Sequence, residues 1–257
     1  QEQAIPVVLM GRDILGCAQT GTGKTASFTL PMIDILAQGR AKARMPRTLI
    51  LEPTRELAAQ VAENFEVYGK YHKLSMALLI GGTSMADQIK VIDRGPDVLI
   101  ATPGRLMDLF DRGQLLLNDV RILVIDEAAH VDGLDELWTG LYPTLSTGGR
   151  CIALSTPNGV GNWFHQTCID ADMQKNDFNL VTLPGSVHPE RDQEWFQKET
   201  RNMSNRQIAQ ELECNFNMSG ETVFHPEEMQ EMEKGLCEPK YKTGFDRNLW
   251  IWEECKT

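Results

Sequence analysis

The segment from Asp13 to Ala37 constrains this chain more than any other. A short apolar run, Asp13–Ala18, leads without interruption into Gln19-Thr20-Gly21-Thr22-Gly23-Lys24-Thr25, and a helical pattern follows over Ala26–Ala37. Glycines at this spacing let the backbone turn tightly and come close to a ligand. The N–H groups of such a loop, together with the N-terminus of the helix after it, form a concave anion site. In that setting Lys24 reaches the β/γ-phosphates of a nucleotide, and the Thr25 hydroxyl helps to hold Mg²⁺. A strand, a glycine loop and a helix in that order require a strand end beside a helix start, and an α/β sheet supplies one.

The rest of the chain repeats the alternation. Apolar runs occur at Thr48–Pro53, Leu74–Ile80, Val98–Thr102, Ile122–Asp126, Cys151–Thr156 and Asn179–Leu183. Most are continuously apolar, as strands covered on both faces are. Helical patterns such as Arg55–Tyr68 and Arg105–Asp111 lie between them. The expected fold is α/β, a mostly parallel sheet with helices on both faces, spanning 1–184. Beyond Pro184, Glu194–Met203 and Asn205–Phe216 read as polar helices, and an acidic, Met-rich tail follows from His225 to an aromatic patch at Trp250–Trp252. Residues 185–257 are therefore expected to form a helical and irregular C-terminal extension.

A second acidic signal accompanies the loop. Ile122–Ile125 ends in Asp126-Glu127, so a buried strand delivers two carboxylates to one edge. Asp126 suits Mg²⁺, held through its water shell, and Glu127 suits polarisation of an attacking water.

Charge and cysteine content narrow the setting. The net charge of −11 excludes a uniformly basic nucleic-acid coat. Residues 1–127 hold 14 Lys and Arg against 15 Asp and Glu, whereas residues 128–257 hold 11 against 21, so the first half is the better nucleic-acid surface. None of the six cysteines forms a C-x-x-C pair, which fits reduced cytosolic thiols. No apolar run approaches the roughly 20 residues of a membrane span, so no membrane partner is expected. The opening Gln1, where a start Met would stand, fits a piece of a longer chain.

Residues 1 to about 127 resemble the first RecA-like domain of DEAD-box RNA helicases. The resemblance rests on Ala18–Thr25, on Pro53-Thr54-Arg55-Glu56-Leu57-Ala58-Ala59-Gln60, on Gly81-Gly82, on Thr102-Pro103-Gly104-Arg105 and on Asp126-Glu127, in that order. It implies a RecA-like P-loop NTPase in which ATP is bound by Gln1, Thr20, Gly21, Thr22, Gly23, Lys24, Thr25 and Asp126. Gln1 takes the adenine-reading place. The same resemblance implies that Arg55, Gly82, Thr102, Gly104 and Arg105 contact the backbone of single-stranded RNA, chemistry that hydroxyl, guanidinium and backbone N–H groups suit. Read without the family, Arg55 and Arg105 would be helix-terminal ion pairs.

Past the acidic pair the text changes. A DEAD-box protein would read Asp-Glu-Ala-Asp, and this chain reads Asp126-Glu127-Ala128-Ala129-His130. Residues 126–250 are similar instead to the large terminase subunit of T4-like phages. The matching segments are Asp135-Glu136-Leu137-Trp138, Pro143-Thr144-Leu145-Ser146, Ser155-Thr156-Pro157-Asn158-Gly159, Gln210-Glu211, Cys214, Phe216 and Ser219-Gly220. That family packages double-stranded DNA, and the resemblance implies that Ser155 and Thr156 couple hydrolysis to motion. The phosphate loop lacks the Arg that terminases carry.

The two resemblances together imply an ATP- and Mg²⁺-dependent enzyme acting with nucleic acid, catalysed through Lys24, Asp126 and Glu127. Single-stranded RNA with a second RecA-like domain, or double-stranded DNA with a phage portal, remain as alternative partners. The expected setting is the cytoplasm of a bacterium or a phage-infected host cell. Hydrolysis is expected to be slow without arginines supplied in trans, which typically contribute ~10³–10⁵ in rate. The alternative is a nucleotide-binding module without turnover. His130 reads as a hydrogen-bonded loop residue, and Trp138 and Trp163 as core packing.

Overall fold

The computed structural model describes residues 1–19, 21–146, 148–187, 191–219, 241–243 and 249–251. Thr20, Gly220, His225, Trp252 and most of the acidic tail lie outside the described residues. The chain begins α1 (Ala4–Leu9), β1 (Ile14–Ala18), α2 (Lys24–Leu36), β2 (Thr48–Leu51), α3 (Arg55–Gly69), β3 (Met76–Leu79), α4 (Met85–Asp93), β4 (Val98–Ala101) and α5 (Pro103–Asp111). It continues β5 (Ile122–Asp126), α6 (Leu134–Leu145), β6 (Arg150–Ser155), α7 (Trp163–Asp172), β7 (Asn179–Leu183), α8 (Gln193–Glu199), α9 (Asn205–Glu211) and α10 (Phe216–Ser219). Two short strands close the order, β8 (Tyr241–Thr243) and β9 (Leu249–Ile251).

Strands β1 to β7 form one sheet in the order β3-β4-β2-β5-β6-β1-β7, and every pairing in it is parallel. Successive residues of a strand face opposite sides, and the two sides bury separate cores. Ile14, Ile50, Ile100, Val124 and Ile152 pack under α1, α2 and α3 through Val8, Phe28, Met32 and Phe65. Leu15, Leu51, Leu99, Leu123 and Ala153 pack under α5, α6 and α7 through Leu106, Leu137 and Phe164. This double covering explains why β1, β2, β4 and β5 are buried at every position. The edge strands have one neighbour each and are less covered: β3 alternates half-buried with buried, and β7 has no buried position. The observed architecture is the α/β sheet with helices on both faces that the apolar runs predict.

The sequence reading differs from the structure after β7. The first compact unit extends from Gln1 to Gly220, beyond 184. Side-chain bonds hold the later segment to it: the Arg191 guanidinium donates to the Gln19 amide oxygen, and the Cys214 thiol donates to Cys17 O at 3.6 Å. The helix expected over Asn205–Phe216 stops at Glu211. Cys214 takes a left-handed φ of +55°, and Asn215 N–H bonds back to Ala209 O. Residues 221–257 form a separate unit, in which β8 and β9 pair antiparallel with Tyr241 opposite Ile251.

Candidate nucleotide and nucleic-acid site

All seven strands are parallel, so their carboxyl ends share one edge of the sheet, where ligands of such folds collect. Two groups of sequence-predicted residues meet along it. One lies after β1, β5 and β6, and the other after β2, β3 and β4.

In the first group, α2 starts at Lys24 directly after Gly23, which has φ +79°. Gly21 also has positive φ, +81°, and a Cβ there would meet open space. A Cβ on Gly23 would fall 2.3 Å from the Gln1 amide nitrogen, so Gln1 lies against the loop. Gln1, Thr22, Gly23 and Lys24 line a shallow hollow with Val181 and Leu183. Thr22 Oγ1 donates to Gln19 O at 2.8 Å and closes the turn. Thr25 is half-buried in the first turn of α2.

The acidic pair sits opposite. Glu127 follows β5 in a left-handed conformation, φ +47°. Its carboxylate accepts from Lys24 Nζ at 2.7 Å, from Thr156 N–H at 3.3 Å and from the Ser155 hydroxyl at 3.4 Å. Ser155 Oγ in turn accepts from Ala129 N–H at 3.1 Å, and Asn158 Nδ2 donates to Ala129 O at 3.1 Å. Where a DEAD-box protein has its last Asp, this chain therefore joins the turn after β5 to β6 through the Ala129 backbone. His130 Nδ1 stands 3.7 Å from Glu127 Oε2, beyond hydrogen-bond length, while its Nε2 lies 3.3 Å from Gln210 of α9. Asp126 is buried and accepts from Glu127 N–H at 3.1 Å. Burial first, then the adjacent Glu127, pushes its carboxyl up to about 6, against the pull of Lys24.

Glu52 is the residue the sequence reading missed. It follows β2, is fully buried, and neither carboxyl oxygen has a hydrogen-bond partner in the described residues. Burial, with Asp126 and Glu127 adding to it, pushes this carboxyl up to about 10. A signal existed: Leu49-Ile50-Leu51-Glu52 ends an apolar strand on an acid, just as Leu123-Val124-Ile125-Asp126 does.

The donors present fit ATP and Mg²⁺. Among the described residues no three His, Cys, Asp or Glu side chains converge as a metal cage. Mg²⁺ needs none: it keeps several waters and takes one or two carboxylates plus substrate phosphates. Asp126 and Thr25 supply hard oxygens beside the glycine loop, and Glu52, whose oxygens have no hydrogen-bond partner among the described residues, follows the strand next to β5.

The second group carries the predicted nucleic-acid residues. Thr54 caps α3, its Oγ1 accepting from Leu57 N–H at 3.2 Å, and this sets Arg55 in the first turn. The Arg55 guanidinium lies over Gly81 and Gly82; a Cβ on Gly82 would meet it at 2.7 Å, and Gly82 has φ +80°. Arg105 Nη1 donates to Gln88 Oε1 at 3.2 Å, and Gln88 Nε2 donates to Ile80 O at 3.0 Å. Thr102 N–H donates to Leu79 O, and Gly104 is exposed in the first turn of α5. Neither Arg55 nor Arg105 forms an ion pair among the described residues, so helix-terminal pairing does not account for them. Trp138 packs at 4.9 Å from Trp163 and 6.2 Å from Phe178, a packing role.

Comparison with known proteins shows the family and the fold. Residues 1–155 match the family model of DEAD/DEAH box helicases, beyond the change of motif at 127. RNA helicase CrhR of Synechocystis sp. is 38% identical over 190 residues, which cover 71% of this chain and 36% of that protein. DEAD-box ATP-dependent RNA helicase 52A of Oryza sativa subsp. japonica is 42% identical over 142 residues, covering 50% of this chain and 23% of that protein. A DEAD box protein from Methanococcus jannaschii superposes with a TM-score of 0.60 at 26% identity, covering 79% of this chain and 56% of that one. A hypothetical ATP-dependent RNA helicase from Sulfolobus tokodaii gives 0.54 at 27%, covering 71% and 51%. The chain thus spans between 23% and 36% of the length of these curated relatives. The terminase resemblance of residues 126–250 draws no support from these matches.

Proposed function

The chain belongs to the DEAD/DEAH box helicase family, and from that premise we propose that it binds and hydrolyses ATP with Mg²⁺ and couples the reaction to single-stranded RNA. The observation that carries this reading is the convergence of Lys24, Asp126, Glu127, Ser155 and Thr156 from three neighbouring strand ends. The Gly21–Gly23 backbone and the N-terminus of α2 hold phosphate. Gln1 reads the adenine from its place against the loop. Lys24 is shared between phosphate and Glu127. As phosphate draws the ammonium away, Ser155 and Thr156 still hold the Glu127 carboxylate, which then polarises the attacking water. Mg²⁺, when bound through Asp126 and Thr25, supplies positive charge to the phosphate oxygens.

Arg55, Gly82, Thr102, Gly104 and Arg105 take the RNA backbone along the other half of the same edge. Names of the relatives, all RNA helicases or DEAD-box proteins, support RNA as the partner. In this reading a second RecA-like domain supplies the arginines that speed hydrolysis, typically ~10³–10⁵-fold. A packaging-motor reading, with double-stranded DNA and a phage portal, rests only on the sequence resemblance of residues 126–250, including Ala129 where the helicase motif has Asp, and the comparisons lend it no support.

Phosphate release from Mg·ATP, with and without single-stranded RNA or double-stranded DNA, separates the readings. Stimulation by RNA supports the helicase reading, and stimulation by double-stranded DNA alone supports the packaging one. Release no greater than that of Lys24→Ala would reduce the chain to a nucleotide-binding module.

A further inference from the structure

Glu52 ends β2 as Asp126 ends β5. Leu51 pairs with Ile125 in the parallel register, so the two acids are the next residues along neighbouring strands. Two positions back, Ile50 and Val124 belong to the same apolar layer, which places Glu52 and Asp126 on one side of the sheet. The Glu52 backbone is satisfied, its N–H donating to Ala101 O at 3.0 Å. Its side chain is not: it is 0% exposed, and both oxygens lack a hydrogen-bond partner among the described residues. Buried polar groups are almost always paired, and an exception calls for a cause.

The surrounding charge points to that cause. Glu52 lies in the field of Asp126, Glu127 and Lys24. Three carboxyls thus share one ammonium, and that ammonium is already 2.7 Å from Glu127. A hydrated divalent cation supplies both missing elements, positive charge and O–H donors. We propose that Glu52 is a positioning residue that accepts hydrogen bonds from the water shell of Mg²⁺ held at Asp126, and so sets how tightly the metal joins the bound nucleotide. This rests on the nucleotide site proposed above.

The test is binding of a fluorescent ATP analogue, titrated with Mg²⁺ and repeated in EDTA, for the parent, Glu52→Gln and Glu52→Leu. Loss of an outer-shell partner typically costs about 10–100-fold in metal affinity, so the Mg²⁺ midpoint should rise by that factor in Glu52→Leu, and in the same direction but by less in Glu52→Gln, which keeps one accepting oxygen but loses the charge and the second. Affinity in EDTA should stay at the parent value, because Glu52 acts through the metal. A melting curve checks folding, and the near-isosteric Glu52→Gln decides if the leucine variant does not fold. A parental Mg²⁺ midpoint in the folded variants overturns the proposal. So does an equal loss with and without Mg²⁺, which would make Glu52 a support of the pocket. If the parent itself shows no Mg²⁺-dependent binding, the nucleotide site fails, and this inference with it.

Discussion

Glu127 holds a left-handed backbone, φ +47°, which costs a residue with a side chain roughly 1–2 kcal/mol. The contacts to Lys24, Ser155 and Thr156 offset that cost and fix the carboxylate where β1, β5 and β6 end. Glu127→Gln keeps an oxygen to accept from Ser155 and Thr156 but cannot serve as a base. Nucleotide binding should persist while turnover falls by about 10²–10⁴-fold. Binding and single-turnover assays on the same preparation check this, and turnover at the parent rate would remove Glu127 from the chemistry. Asp126 makes a pH prediction. Its carboxyl titrates at about 6 in the folded chain against 3.8 for a free side chain. Above pH 6 the folded state therefore carries a charge it disfavours, and that cost is relieved as pH falls from 6 towards 3.8. Mg²⁺ needs the charged form, so Mg²⁺-dependent nucleotide binding should weaken below about pH 6, well before an ordinary carboxylate would lose it. A binding series across that range shows whether the loss begins near 6 or only near 4.

At the scale of elements, the turn after β5 is tied to β6 by the Ala129 N–H to Ser155 Oγ bond, both groups being buried. Ser155→Ala leaves that N–H unsatisfied, a loss of about 1–3 kcal/mol. Urea unfolding should show the midpoint falling, and an unchanged midpoint would mean the turn finds another acceptor. This bond also marks where sequence reading stops. Strands were legible because a strand covered on both faces must be apolar at nearly every position, as Ile122–Ile125 and Leu49–Leu51 are. The phosphate loop and the Asp126-Glu127 pair were legible because their chemistry is packed into a few consecutive residues. Contacts between distant segments were not: Lys24 and Glu127 are 103 residues apart, and His130 and Gln210 are 80 apart. The stop of α9 at Glu211 depends on Cys214 turning back towards β1, which no local spacing encodes. Glu52 was hidden for a further reason. Its significance comes from lying next to Asp126 across the sheet, and strand order is a property of the fold.

For the molecule as a whole, the net charge of −11 opposes nucleic acid, so binding has to come from a few placed groups. Arg55 and Arg105 are such groups. Neither is neutralised by a carboxylate among the described residues, and both lie at carboxyl ends of strands in the sheet whose other strand ends hold Lys24 and Glu127. A phosphate contact releases counterions, and each one lost from a single strand lowers the salt slope by about 0.7. Arg55→Ala and Arg105→Ala should each weaken single-stranded RNA binding and flatten its dependence on salt by about that amount. Nucleotide binding should stay at the parent value in both, since neither arginine touches the phosphate loop. Arg105→Ala also frees Gln88, which still bonds to Ile80 O, so α4 should keep its place. RNA affinity measured over a range of salt concentrations gives the slope directly. A parental slope in both variants would move the RNA path off this edge, and a loss confined to double-stranded DNA would favour the packaging reading over the helicase one.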